Sequence, residues 1–263
     1  MFPIGLFDSG VGGLSVLRRL WELCPHEDYV YFADTYHMPY GPRSHAEIEN
    51  IVFGICDFLL HRQCRAIVMA CNTSSALVLP LARRHYPIPL FGVLMPGART
   101  AVSLTSNGRI GVLATEATIR SKAYVNAVRS MAPNIEVFGQ ACGALAPFVE
   151  RGELQGEHVV TAVSDCVAPL LDCGVDTLVL GCTHYPFLLP VLNELVPPHV
   201  TLVDPAKATV QEVQAHLQPA TSLTGSTTFF VSGGGQEFAR VAKVLLGTAV
   251  HPQEVRFKVG AHR

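Results

Sequence analysis

Three observations predict an α/β protein made of two similar α/β domains with parallel sheets: short β-type apolar runs alternate with helix-length segments, one stretch of pattern recurs in the second half, and apolar residues far outnumber charged ones. Of the 263 residues 49% are hydrophobic and 15% charged, whereas an average globular chain is about 25% charged. That balance excludes disorder and leaves enough chain to bury sizeable cores. The formal net charge of −2 supplies no basic footprint for a nucleic-acid backbone. No apolar run reaches the ~18 uncharged residues of a membrane span. Asp8 breaks the first apolar run with no basic stretch before it, so a secretory signal is not expected.

The elements follow in order. Ile4–Phe7 is a strand, leading through Asp8-Ser9-Gly10-Val11-Gly12-Gly13 into a helix from Leu14 to Leu23. Tyr29–Phe32, β-branched and aromatic, is the next strand. Ser44–Arg62 carries Ile48, Ile51, Val52, Ile55, Phe58 and Leu59 at helical spacing. A strand at Ala66–Ala70, a helix over Ser74–His85 and a strand at Pro89–Leu94 complete the first half. The second half runs strand 109–113, helix 117–131, strand 135–138, helices between 142 and 172, strand 176–180, helix 186–195 and strand 199–203. A tail adds a helix near 206–217, a strand at 227–231 and a helix at 236–246, too few elements for a third domain. The expected division is residues 1–94 plus 207–263 for a discontinuous first domain and 95–206 for the second.

The repeat sharpens this. Ile4–Ser9 aligns with Ile110–Thr115, and Ile67–Thr73 aligns with Leu178–His184, at nearly equal offsets. Duplicated sheets can face each other across a cleft, each presenting the carboxyl ends of its strands, where open α/β sheets bind ligands.

Eight cysteines are present and none forms Cys-x-x-Cys, which argues against a zinc knuckle or a thioredoxin-like motif and for reduced thiols in a cytoplasmic protein. Most read as small buried hydrophobes. Cys71 and Cys182 differ, because each follows a strand and precedes a helix at matching places in the repeat. Backbone N–H groups and the helix dipole there are expected to lower a thiol pKa from about 8.5. Packing explains a single strand-end cysteine. Two in register put a sulfur on each side of one ligand, an arrangement that suits removal of a proton from one face of a carbon and its return to the other. A cysteine hydrolase would need one thiol, a histidine partner and no duplicate.

The neighbours fit the same chemistry. Asn72, Thr73, Ser74 and Ser75 follow one cysteine, Thr183 and His184 the other. Alone each is an ordinary helix cap; doubled beside both thiols they suggest a carboxylate site. Asp8-Ser9 ends the first strand and either reaches the cleft or caps the next helix. Gly10, Gly12 and Gly13 lack the spacing of a nucleotide loop and read as close backbone approach to a small ligand. The run from Asp34 to Arg43 reads as a loop over the cleft or a plain proline turn, with Tyr40-Gly41 offering a hydroxyl and main-chain donors. His184 abuts a thiol and is a candidate donor or acid. Glu150 either orients His184 or is an exposed helix-end carboxylate. The other histidines show no metal-ligand spacing, and no metal is expected.

Phe7–Val16, Tyr40-Gly41, Ala70-Cys71-Asn72-Thr73 and Leu180-Gly181-Cys182-Thr183-His184-Tyr185-Pro186 together resemble the glutamate racemases of the aspartate/glutamate racemase superfamily, over nearly the whole chain. The resemblance implies two Rossmann-like domains related by a pseudo-twofold, with the active site between them. It implies a cofactor-independent racemase that supplies D-glutamate for peptidoglycan precursors and works as a homodimer. On that resemblance Cys71 takes the α-proton of D-glutamate and Cys182 that of L-glutamate, with Asp8 and His184 assisting. Asp8, Ser9, Tyr40, Gly41, Asn72, Thr73, Thr115, Thr183 and His184 would hold the amino acid, with Glu150 behind His184. Met95 departs from the acidic or polar residue common before Pro96, a matter for regulation or oligomer contacts. The start of the chain at its first strand makes activation by a cell-wall precursor an unexpected property. Rival readings are racemisation of aspartate or another small acid by the same thiols, a dicarboxylate-binding protein without turnover, and a partner-inhibiting protein with vestigial catalysis.

Overall fold

A computed structural model describes residues 2–216, 225–257 and 259. The end of the expected tail helix at 217 and the parts of the expected first domain at residues 1, 217–224, 258 and 260–263 lie outside the described residues.

The strands are β1 (Ile4–Asp8), β2 (Tyr29–Ala33), β3 (Ala66–Met69), β4 (Leu90–Gly92), β5 (Arg109–Ala114), β6 (Glu136–Ala141), β7 (Thr177–Gly181), β8 (Thr201–Val203), β9 (Thr227–Val231) and β10 (Gln253–Glu254). The helices are α1 (Leu14–Leu23), α2 (His45–His61), α3 (Asn72–Leu77), α4 (Leu79–His85), α5 (Leu94–Leu104), α6 (Glu116–Arg120), α7 (Ala123–Met131), α8 (Ala146–Glu150), α9 (Glu157–Asp172), α10 (Leu189–Leu195), α11 (Pro205–His216) and α12 (Gly235–Leu246). The strands form two all-parallel sheets, ordered β10-β9-β2-β1-β3-β4 and β6-β5-β7-β8. The order β2-β1-β3-β4 in one repeats as β6-β5-β7-β8 in the other. The sequence repeat therefore coincides with a repeat of topology: β1 corresponds to β5 and β3 to β7. The tail strand β9 pairs with β2, Tyr29 opposite Thr227.

Both central strand pairs are buried on both faces, as the near-continuous apolar runs of parallel strands require. The largest core cluster joins Ile4, Leu6 and Val68 of the first sheet to Leu113, Leu178 and Leu180 of the second. Helix α2 starts at a capping box in which Ser44 and Glu47 satisfy each other's backbone N–H groups. It buries Ile48, Ile51, Val52, Ile55 and Leu59 against the first sheet.

Four expectations need correction. The helix expected over 74–85 is two helices, broken at Val78 ahead of Pro80, and the one expected over 117–131 breaks at Lys122, whose φ of 54° is left-handed. The segment expected as helix 186–195 opens as a 3-10 turn, Tyr185–Leu188, before α10. The strand expected to reach Leu94 stops at Gly92, and Leu94 opens α5, an unforeseen helix. Pro96-Gly97 resembles a breaker, yet proline is tolerated in a first turn, where its missing N–H has no intrahelical partner to lose. The short edge strand β10 was likewise not expected.

Candidate active site

The carboxyl ends of β3 and β7 deliver Cys71 and Cys182 to one cavity of about 550 Å³. Cys71 caps α3, its carbonyl accepting from the Ser75 N–H at 2.9 Å. Cys182 starts a tighter turn, its carbonyl accepting from the Tyr185 N–H at 3.1 Å. Both thiols are 6% exposed, so each is nearly buried yet opens on the cavity. Ser9, Tyr40, Gly41, Asn72, Thr73, Thr115, Glu150, Thr183 and His184 line the same space. Of the residues that the resemblance assigns to catalysis or to holding the amino acid, Asp8 alone does not. It is fully buried behind the wall, where its carboxylate accepts from the Gly10 N–H at 3.1 Å and the Thr183 hydroxyl at 3.0 Å. Burial raises its pKa to about 6, against the pull of His184, Gly10 and Thr183.

The two thiols sit in unlike surroundings. Beside Cys182, the sulfur lies 3.4 Å from His184 Nδ1, while Nε2 of the same ring lies 2.6 Å from Glu150 Oε1. Burial disfavours charge on this imidazole, but Cys182 and Glu150 outweigh it and hold the His184 pKa well above its ordinary value. A charged ring donates from both nitrogens, one bond to each neighbour. Glu150 is itself fixed by the Val11 N–H at 3.1 Å. It is therefore a partly buried orienting carboxylate rather than a free helix end.

Cys71 corrects the expectation that a helix start would favour its thiolate. Burial first, and the negative charge of Asp8 second, push its pKa up to about 12, with the Ser74 N–H and hydroxyl opposing. Helix α3 is only six residues long, and its first-turn dipole is outweighed by desolvation.

Glycine explains how the halves approach. A Cβ on Gly12 would lie 2.5 Å from Thr183 Oγ1 and 2.7 Å from His184 Nδ1, and one on Gly10 would overlap the Glu150 carboxylate. Gly10, Gly12 and Gly13 do not line the cavity. Gly10 and Gly12 make room for side chains of the other half and Gly13 for Asp8 and Tyr31 of its own, which replaces the expected role of approaching a ligand.

Tyr40 is also corrected. Its hydroxyl donates to Asp34 Oδ2 at 2.8 Å and so is already committed. Asp34 is a buried carboxylate that also takes the Ser232 hydroxyl and faces His37 Nδ1. What the Tyr40-Gly41 loop can present to the cavity is main chain.

Sequence reasoning missed three contributors. Thr118 closes a ring of hydroxyls with Thr73 and Thr115 at 3.0 to 3.2 Å. Thr115 caps α6 through the Thr118 N–H, so a Thr-x-x-Thr cap was the available signal. Asp34 and Tyr124, whose hydroxyl reaches Asn72, act over long range and left no local mark. Among the described residues no three His, Cys, Asp or Glu side chains gather into a metal-holding group, and no helix is long and apolar enough to cross a membrane.

Comparison with known proteins places this geometry in context. A sequence model of the Asp/Glu/Hydantoin racemase family matches residues 4–213. The chain is 43% identical over 249 residues to the glutamate racemase of Trichormus variabilis, covering 93% of this chain and 85% of that protein. Its structure resembles the glutamate racemase isoform RacE1 of Bacillus anthracis with a TM-score of 0.93 at 36% identity, over 96% of this chain and 97% of that one. It also resembles the glutamate racemase of Francisella tularensis, solved in complex with D-glutamate, with a TM-score of 0.89 at 30% identity, over 99% and 98% of the two chains.

Proposed function

Because this chain belongs to the Asp/Glu/Hydantoin racemase family, we propose that it interconverts L-glutamate and D-glutamate by a cofactor-independent two-base mechanism with Cys71 and Cys182 as the acid–base pair. The observation that carries the reading is the delivery of one thiol from each of two topologically equivalent strands, β3 and β7, to a single cavity.

The unlike surroundings assign a direction. In the resting protein Cys71 carries its proton, so it is poised as the acid. Cys182 lies 3.4 Å from His184 Nδ1, a neighbour that can donate to the sulfur, so it is assigned the base. Cys182 takes the α-proton of L-glutamate on one face, and Cys71 delivers its own to the opposite face, giving D-glutamate. The roles reverse for the return reaction. The difficult point is acidity, since an amino-acid α-proton is far less acidic than a thiol. Donors on the carboxylate and retention of the ammonium stabilise the carbanion character. Asn72, Thr73 and Thr183, adjacent to the two thiols, serve the carboxylate beside the reacting carbon. The Asp8 charge behind Thr183 favours the ammonium. Ser9, Thr115 and the Tyr40-Gly41 main chain face the rest of the ligand. Exclusion of water from the closed cleft strengthens each of these contacts.

The same reading makes the protein a cytoplasmic homodimer supplying D-glutamate for peptidoglycan. The test is deuterium incorporation at the α-carbon of each enantiomer in D₂O, followed by circular dichroism. Wild-type protein should exchange and invert both. Cys71→Ser and Cys182→Ser should each lose racemisation by more than about 100-fold, with residual exchange confined to L-glutamate in the first and D-glutamate in the second. Near-normal racemisation in either variant refutes the two-thiol assignment. An unexchanged α-hydrogen with wild-type protein refutes the racemase reading.

A further inference from the structure

Tyr124 lies on α7 in the second half of the chain and is buried. Its hydroxyl donates to Asn72 Oδ1 at 2.8 Å, and Asn72 directly follows Cys71. Its ring lies against Gly181, which directly precedes Cys182: a Cβ there would stand 3.2 Å from the ring's Cε2. On the other side the hydroxyl lies 3.4 Å from where a Cβ on Gly97 of α5 would stand. One side chain thus reaches the loop of each thiol, in a seat that the missing side chains of Gly181 and Gly97 leave open.

A carboxamide can be turned end for end with almost no change of shape, and only its partners decide which end faces which way. The Tyr124 hydroxyl carries one proton, and Asn72 Oδ1 is its acceptor among the described hydrogen bonds. A turned amide would leave that proton stranded in a buried site, which is unfavourable. With Oδ1 held by the phenol, the amide nitrogen is the end left for the cavity that Asn72 lines. Burial keeps the phenol protonated far above neutral pH, so it remains a donor.

We infer that Tyr124 is a positioning residue: through its hydroxyl it locks the Asn72 carboxamide with its N–H₂ toward the substrate carboxylate, so that a residue of one half sets a donor of the other. The inference rests on the reading of Asn72 as a carboxylate donor. An amide free to turn would present an oxygen to a carboxylate in part of the population, lowering effective affinity by the fraction misaligned and the rate by the donor lost as charge develops.

The test is a double-mutant cycle of Tyr124→Phe and Asn72→Ala, measuring kcat and KM for glutamate racemisation and the melting temperature of each protein. Tyr124→Phe keeps the ring and its seat. It should lower kcat/KM by about tenfold with Asn72 present, the loss expected of one donor to a charged group, and by less than twofold with alanine at 72. An equal loss in both backgrounds, or none in the first, overturns the inference while leaving the site reading intact. If Asn72→Ala alone is silent, the carboxylate-donor reading fails, and the inference with it. Inactivity of the wild-type protein refutes the racemase reading, a result distinct from both.

Discussion

Asp8→Asn should make the protein more stable at neutral pH and less active. The Asp8 carboxyl is fully buried with a pKa of about 6, against 3.8 when exposed. Below pH 3.8 both folded and unfolded chains hold the proton. Between about 4 and 6 the folded chain binds more, so its stability falls as pH rises, and above 6 the loss is complete. At about 1.4 kcal/mol per pH unit, the gap between the two values amounts to about 3 kcal/mol, of which about 2 falls between pH 4.5 and 7.5. Asparagine keeps an acceptor for the Gly10 N–H and can meet the Thr183 hydroxyl with its amide, without a charge to desolvate. Urea unfolding of both proteins across pH 4.5–7.5, without ligand, isolates this group, because the neighbours its charge acts on, Cys71 and His184, keep their protons in the folded protein over that range. The advantage of Asp8→Asn should grow with pH by about 2 kcal/mol over that range, while racemisation falls at least about tenfold for want of the charge behind Thr183 that favours the ammonium. A stability difference that does not change with pH would show that Asp8 is not a buried, strained carboxylate, and the reasoning would fail.

Three further outcomes follow from the same geometry. Glu150→Gln keeps a hydrogen-bonding group on His184 Nε2 but removes the charge that favours the imidazolium, so the alkaline limb of the pH–rate profile should move to lower pH and kcat/KM fall by about tenfold; an unshifted profile would refute the role given to Glu150. Gly12→Ala drives a methyl into Thr183 and His184, and should lower the melting temperature by several degrees, roughly the effect of 1–3 kcal/mol of overpacking, and disable turnover; wild-type rates in a calorimetrically normal variant would contradict it. Alkylation of Cys71, followed by mass spectrometry in the ligand-free protein, should keep accelerating about tenfold per pH unit through pH 8–10 instead of levelling off near 8.5 as an ordinary thiol does. A plateau at neutral pH would mean a stabilised thiolate.

The alternation of elements and the placement of Cys71 and Cys182 after equivalent strands were legible in the chain because both are local. A short apolar run rich in β-branched and aromatic residues and bounded by turn residues reads as a strand from its own composition, and a repeat needs only alignment to be seen. Helix α5 was hidden because proline and glycine carry opposite meanings in a first turn and in an interior. The roles of the glycines and of Tyr40 were misread for a related reason: sequence shows that backbone is exposed to close approach or that a hydroxyl is available, but not what approaches or accepts it.

The amino-acid order by itself determined the α/β class, the duplication and the residue types gathered at the strand ends. Tertiary structure alone decided their protonation and orientation. Burial and the Asp8 charge made Cys71 a thiol acid, whereas His184 and Glu150, 34 positions apart, gave Cys182 a cationic neighbour. Desolvation and Coulomb interactions depend on distance through space, which the spacing of residues along a chain does not encode.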